Sequence, residues 1–188
     1  NNYFKGEEKW DDKNTIKLKL YRATIKDDNS WGEIEELPFN SDQYSVAHPS
    51  LSLDEKRIYF SSDMPGTFGK SDIWYVDIID EENYGRPVNL GPNINTEERE
   101  SFPYISSENV LYFSSNGLMG LGGLDIFMTA LNSKGFPTVT TNLGEPVNSR
   151  YDDFGLIINP GIKRGYLSSN RDGFDGSSSD EIYTFFEN

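Results

Sequence analysis

The stretch Asp54-Glu55-Lys56-Arg57-Ile58-Tyr59-Phe60-Ser61-Ser62-Asp63 decides the fold, because its second half comes back twice. Tyr59-Phe60-Ser61-Ser62-Asp63 returns as Tyr112-Phe113-Ser114-Ser115-Asn116 and again as Tyr166-Leu167-Ser168-Ser169-Asn170. Phe60 and Phe113 stand 53 residues apart, and Phe113 and Leu167 stand 54 apart. Downstream, Asp72-Ile73-Trp74-Tyr75 is answered by Asp125-Ile126-Phe127-Met128 and, after small insertions, by Asp180-Glu181-Ile182-Tyr183. Leu20-Tyr21-Arg22-Ala23 stands 53 residues before Ile73. A third marker closes each unit: Leu37-Pro38-Phe39-Asn40-Ser41, then Asn89-Leu90-Gly91-Pro92-Asn93-Ile94-Asn95-Thr96, then Asn142-Leu143-Gly144-Glu145-Pro146-Val147-Asn148-Ser149.

Within a unit, short aromatic and β-branched runs are bounded by Gly, Pro, Asn, Asp and Ser, the signature of strands and turns. The best-defined unit predicts strands over 48–53, 57–61, 73–78 and 86–90, with a turn at Asp54-Glu55-Lys56. The loop between its second and third strands is rich in glycine in every copy, Gly173 and Gly176 in the last. Four antiparallel strands per period of about 50 read as a β-propeller blade. The fold is therefore all-β, a partial propeller of four-stranded antiparallel blades. Residues 41–95 and 96–148 form complete blades. Residues 1–40 supply the third and fourth strands of an incomplete blade behind a long charged loop, and residues 149–188 supply the first three strands of another, ending at Phe186-Glu187-Asn188. Thirteen strands are expected. Two plus three overfill a single closing blade, so the chain reads as an arc of a larger ring whose first partner is the remainder of its own propeller.

Composition agrees. Twelve Phe, eleven Tyr and three Trp suit half-buried β-surfaces better than helices. Seventeen Lys and Arg against 31 Asp and Glu leave a net charge of −14, which excludes nucleic acid as an expected partner because such binding neutralises phosphates with cations. The chain has no cysteine, so a disulfide scaffold, a thiolate zinc site and a cysteine nucleophile are all excluded. No run approaches the ~20 apolar residues of a membrane span, so direct membrane insertion is not expected.

The run from Asp54 to Asp63, followed by Ser71-Asp72-Ile73-Trp74, resembles the TolB-like, or WD40-like, propeller repeat. Together with Tyr44-Ser45-Val46-Ala47-His48-Pro49, Asn89-Leu90-Gly91, Ile94-Asn95-Thr96, Gly120-Leu121-Gly122-Gly123-Leu124-Asp125-Ile126 and Asp152-Asp153-Phe154, it is similar to the propeller of OmpA-family envelope proteins. The resemblance implies a periplasmic location, association with the outer membrane or peptidoglycan, envelope protein partners, and in some relatives a link to type IX secretion or gliding. The family's peptidoglycan-gripping domain is a separate one, so peptidoglycan binding carries over to no residue here.

The candidate chemistry is sparse. His48 is the only imidazole, and one histidine assembles neither a triad nor a two-histidine metal site. It aligns with Phe102 and Phe154 on the innermost strand, where a packed role outweighs a ligand-lining one. Glu100 and the pair Asp152-Asp153 occupy matching places and are expected to point toward one face or the central channel. As paired carboxylates they could serve a glycosidase, but repetition argues for architecture. Tyr44, His48, Glu100, Asp152 and Asp153 are the candidate binding residues of the channel or rim. Asn170, Asp172, Asp175 and Asp180 form an acidic loop that departs from the EF-hand order, and a solvated turn is favoured over calcium. Ser61, Ser114 and Ser168 lack a nucleophile-elbow pattern and read as strand-end residues. The charged opening from Lys5 to Lys19 reads as an exposed, solvated loop. The expected function is a non-enzymatic protein-interaction scaffold without a cofactor. The alternative is a glycan or peptidoglycan-fragment binder using the many rings.

Overall fold

The computed structural model describes residues 3–4, 7–172 and 179–186. A small hairpin of β1 (Tyr3–Phe4) and β2 (Glu7–Glu8) precedes a two-stranded sheet of β3 (Tyr21–Ile25) and β4 (Trp31–Glu36). A four-stranded sheet follows in the order β5 (Val46–Leu51), β6 (Arg57–Ser62), β7 (Asp72–Asp77), β8 (Val88–Asn89). The next has β9 (Glu100–Ile105), β10 (Val110–Ser115), β11 (Asp125–Leu131) and β12 (Pro137–Asn142). The last has β13 (Asp153–Asn159), β14 (Arg164–Ser169) and β15 (Glu181–Phe186). All pairings within these sheets are antiparallel. The blades of two, four, four and three strands account for the thirteen expected; β1 and β2 are additional and fall where the sequence reads only loop.

Boundaries shift for local reasons. The first strand of the second blade starts at Val46, two residues early, because its amide is drawn to Leu18 O of the preceding blade at 2.9 Å. It stops at Leu51, since Ser52 opens a turn by donating to Asp54 Oδ1 at 2.7 Å and accepting from Arg57 N at 3.0 Å. The fourth strand shrinks from 86–90 to Val88–Asn89: Pro87 has no N–H to give the ladder, and Gly85 N has already turned back to Asp77 O.

The blades stack face to face, so the middle strands are buried on both sides. Along β6, Ile58 and Phe60 pack toward the first blade with Leu20, Leu37 and Phe39, while Tyr59 packs toward the third with Phe113 and Phe127. In β10 and β11, Leu111, Phe113 and Phe127 face the second blade, and Tyr112 and Ile126 face the fourth. This two-sided burial turns a period-2 strand into a continuous apolar run. Phe60 and Phe113 are fully buried, and burial of each contributes about 2–3 kcal/mol.

A hydrogen bond from the first strand of one blade to the residue two before Leu20, Ile73 or Ile126 of its predecessor recurs through the chain. Val46 N donates to Leu18 O, Glu100 N to Ser71 O at 2.8 Å, and Asp153 N to Leu124 O at 2.6 Å. The first strands β5, β9 and β13 thus lie side by side at the inner edge. Each carries a bulge, and the bulged residues His48, Phe102 and Gly155 have φ of +52°, +53° and +65°.

Candidate functional site

In an antiparallel blade the loop between second and third strands lies at the same end as the connection to the next blade. At this end the repeat markers acquire their meaning. The closing asparagine of each unit clamps the start of the third strand: Asn95 Oδ1 accepts from Ile73 N at 2.8 Å, and its Nδ2 donates to Ile73 O at 3.0 Å and Asn89 Oδ1 at 2.8 Å. Asn148 does the same with Ile126 N, Ile126 O and Asn142 Oδ1, and Asn40 with Leu20 N and O. The sequence marks these residues by recurrence without giving them a role. The second serine of each Ser-Ser pair is a turn organiser. Ser62 Oγ accepts from Met64 N, Ser115 Oγ from Gly117 N and Leu118 N, and Ser169 Oγ from Arg171 N.

The candidate carboxylates belong to the same framework. Glu100 and Asp153 occupy equivalent positions, opposite Ser115 and Ser169 in register, and both are fully buried. Glu100 accepts from Thr96 N, Thr96 Oγ1 and Ser115 Oγ at 2.6–2.8 Å. Burial pushes its pKa above the ordinary 4.5, with hydrogen bonds from Ser115 and Thr96 opposing. Asp153 accepts from Ser149 N and Oγ at 2.6 and 2.8 Å and pairs with Arg171. Asp152 accepts from Leu124 N at 2.8 Å and so joins the third blade to the fourth. Of the two expected directions, one face or the central channel, these groups lie at one end of the blades, each turned into its own turn or the neighbouring blade, where it satisfies backbone amides that burial would otherwise leave unpaired. Asp72 and Asp125, at equivalent places, accept from Phe68 N and from Leu121 N and Gly122 N, and each keeps one buried oxygen without a partner among the described residues.

His48 lies on the inner edge, its ring stacked on Phe102 at 4.0 Å, with Phe154 5.1 Å beyond Phe102. The register corrects the expected alignment. Ala47 and Phe154 both face the first serine of their motifs, so the place of His48 and Phe102 is taken in the fourth blade by Gly155. His48 Nδ1 shares a hydrogen bond with Ser61 Oγ at 3.0 Å, and burial holds the imidazole pKa below its ordinary 6.5. Tyr44 donates to Phe39 O at 3.1 Å and packs on the first inter-blade core. The five candidates are thus dispersed over the framework and do not converge.

The charged opening is also more ordered than a solvated loop. Asp11 is buried and accepts from Thr15 N at 2.7 Å, Thr15 Oγ1 and Lys13 N, which hold its pKa at about 2. Lys19 is buried between Glu36 and Asp42 at 2.7 and 2.6 Å; burial opposes its charge, but the bonds to these two carboxylates raise its pKa. Lys5 lies outside the described residues. So do Gly173, Gly176 and the calcium candidate Asp175. Of the remaining acidic-loop residues, Asn170 bonds Asp152, and Asp172 accepts from Tyr151 Oη at 2.7 Å. No group of three or more His, Cys, Asp or Glu is placed to hold a metal ion among the described residues, nor is any helix there long and apolar enough to cross a membrane.

Among the described residues, the b-to-c loops of the second and third blades, joining their second and third strands, leave three apolar side chains in solvent: Phe68 is 54% exposed, Met119 95% and Leu121 50%. Phe68 and Leu121 stand 53 residues apart, at the same place in successive blades.

No family model matches this sequence, and no curated protein matches it. Among solved structures, the chain is similar to one from a structural and mechanistic analysis of two prolyl endopeptidases, with 16% identity and a TM-score of 0.50. The match covers 89% of this chain and 21% of that one. A likeness at this identity is one of fold, and it agrees with the propeller-like arrangement of antiparallel four-stranded sheets.

Proposed function

We propose that the chain is a non-catalytic protein-interaction module of the bacterial cell envelope, the TolB-like propeller part of an OmpA-family protein held in the periplasm at the outer membrane. The setting is inferred from the sequence resemblance, which also includes type IX secretion and gliding. The mode of action is inferred from one observation, the recurrence of an exposed apolar side chain at Phe68 and Leu121 with Met119 beside the latter. The loop's structural work is done there by backbone amides, which any residue supplies. An apolar side chain in solvent at the same place twice serves no core, and clustered exposed apolar groups mark interaction surfaces. The buried, amide-bonded carboxylates speak against the glycosidase reading. Burial of the recurring rings Tyr59, Phe60 and Phe113 leaves them out of any sugar platform.

The test is capture of envelope proteins by immobilised native chain and by the double variant Phe68→Ser, Leu121→Ser, with melting of both followed by circular dichroism. The reading expects defined outer-membrane or periplasmic proteins retained by the native chain and lost by the equally stable variant. Identical retention by both would end it.

A further inference from the structure

The opposite end of the blades carries the hairpins between first and second and between third and fourth strands. There a groove of about 530 Å³ opens between the second and third blades, bounded by Ser52, Lys56 and Arg57 on one side and Asn132, Ser133 and Lys134 on the other. Arg57 forms its floor. Its Nε donates to Asp77 Oδ1 at 2.7 Å, its Nη1 to Lys134 O at 2.9 Å, and its guanidinium lies 3.9 Å over the Tyr75 ring. Five N–H groups are available to a guanidinium, so this one is fixed in place without being exhausted. Gly135 makes the seat possible: it has φ +77°, and a Cβ there would fall 2.1 Å from Arg57 Nη1. The neighbouring blades have no such floor, since Val110 opposite Ala130 and Arg164 opposite Phe186 replace Arg57 opposite Asp77.

We propose that this groove binds a small carboxylate-bearing molecule, its carboxylate on Arg57 between Lys56 and Lys134. Three cations in the lining stand against two carboxylates, Asp54 and Asp77, leaving one positive charge on a chain of net −14. Asp77 is paired with Arg57, and Asp54 accepts from Ser52 Oγ and Lys56 N. Lys56 and Lys134 form no ion pair among the described residues, and both line the groove with a guanidinium whose remaining N–H groups can donate to a carboxylate. A single surplus charge suits a monoanion. Inorganic phosphate, a tetrahedral anion of higher charge, is the control that separates a carboxylate site from a general anion site. The site lies at the end of the blades away from Phe68 and Leu121, so it stands or falls apart from the scaffold reading.

The test is amide chemical-shift titration of the full chain with sodium glucuronate, N-acetylglycine, glucose and inorganic phosphate, repeated on Lys56→Glu and Lys134→Glu. Neither lysine side chain supports the fold, so both variants are expected to melt like the native chain. Saturable shifts at Lys56, Lys134 and Gly135 with a carboxylate but not glucose, weakened about tenfold in each variant and by added salt, are the expected result. Tighter glucuronate than N-acetylglycine would assign the ligand as a sugar acid, and the reverse as a peptide carboxyl terminus. No shift at millimolar carboxylate, shifts unchanged in the lysine variants, or phosphate binding more tightly than both carboxylates would overturn the proposal.

Discussion

At one end of the blades the same buried side chains recur about every 53 residues; at the other, Ser52 and Ser106 repeat a turn, but the residue that opens the second strand changes from blade to blade. Asn95 and Asn148 make the same three bonds, and Gly69 and Gly122 press against the same backbone of the next blade. At the far end, Arg57, Val110 and Arg164 share a position but face Asp77, Ala130 and Phe186 in turn, so only the first has an acidic partner across the strand pair. The contrast separates what a ring of blades requires from what one blade alone holds. A buried turn leaves amides that must be paired, and the same turn has the same solution each time. A side chain that only one blade carries answers to no such demand. It is there that a ligand has room to be recognised.

The asparagine clamp gives one of the two largest expected effects. Asn148→Ala would leave Ile126 N–H buried without a partner, and Asn95→Ala would do so at Ile73, while the two carbonyls keep Leu143 N and Leu90 N; each variant is expected to cost about 2 kcal/mol in urea unfolding. Ser133→Ala, at the non-recurring end, is expected to stay within about 0.5 kcal/mol. Asparagine variants costing no more than the serine one would break the comparison.

Two glycines sharpen it. A Cβ on Gly122 would lie 2.1 Å from Tyr151 O and 2.7 Å from Ser149 O, both backbone atoms of the next blade, so Gly122→Ala is expected to lose about 1–3 kcal/mol. Gly85, in the β7–β8 hairpin at the other end, meets nothing nearer than 3.6 Å, and Gly85→Ala is expected to be neutral or to gain up to about 1 kcal/mol. Equal losses in thermal unfolding would mean that the two ends are packed alike.

The blades themselves were legible because a two-sided core forces the same apolar run into every middle strand, and turn residues punctuate it. The placement of Glu100 and Asp153 at matching positions was legible too, but not their direction. Whether a carboxylate at a strand start turns outward or back onto its own turn depends on the amide four residues earlier, a contact that spacing does not express. The alignment of Phe154 with His48 failed by one residue, because the true equivalent, Gly155 at 53 residues from Phe102, has no ring to mark it. The Arg57 groove could not be read at all, because its halves are 77 residues apart and no repeat links Arg57 to Lys134. Lys19 was misread for the same reason, its two carboxylates lying on the far side of a hairpin.

Glu100 supplies a pH test of the recurring end. Its folded pKa lies above the unfolded 4.5, so the folded state holds the proton longer. The unfolded chain releases it first as pH rises, and stability is lost from about pH 4.5 up to the folded value. Glu100→Gln is expected to remove that loss, seen as a flatter melting temperature on the neutral side of pH 4.5. An unchanged profile would mean that the buried carboxyl titrates as it does in solvent.

The smallest effect belongs to His48, which stands between the two kinds of position. Its backbone shares the recurring bulge, while its imidazole is the only one in the chain. His48→Phe copies the third blade, where Phe102 holds the same left-handed φ of +53°, so the backbone conformation is already proven for that side chain. The variant gives up the 3.0 Å bond with Ser61 Oγ and extends the stack on Phe102, two changes of opposite sign; the net is expected to lie within about 1 kcal/mol. The pH dependence discriminates further. Because burial lowers the folded pKa below 6.5, the neutral ring's contribution is complete above that pH and is lost as pH falls toward the folded value. The variant should therefore lose less stability than the native chain between neutral and mildly acidic pH. A larger penalty at neutral pH would show that His48 is not interchangeable with its equivalent, and the inner edge would then join the Arg57 end as a place where one blade departs from the rest.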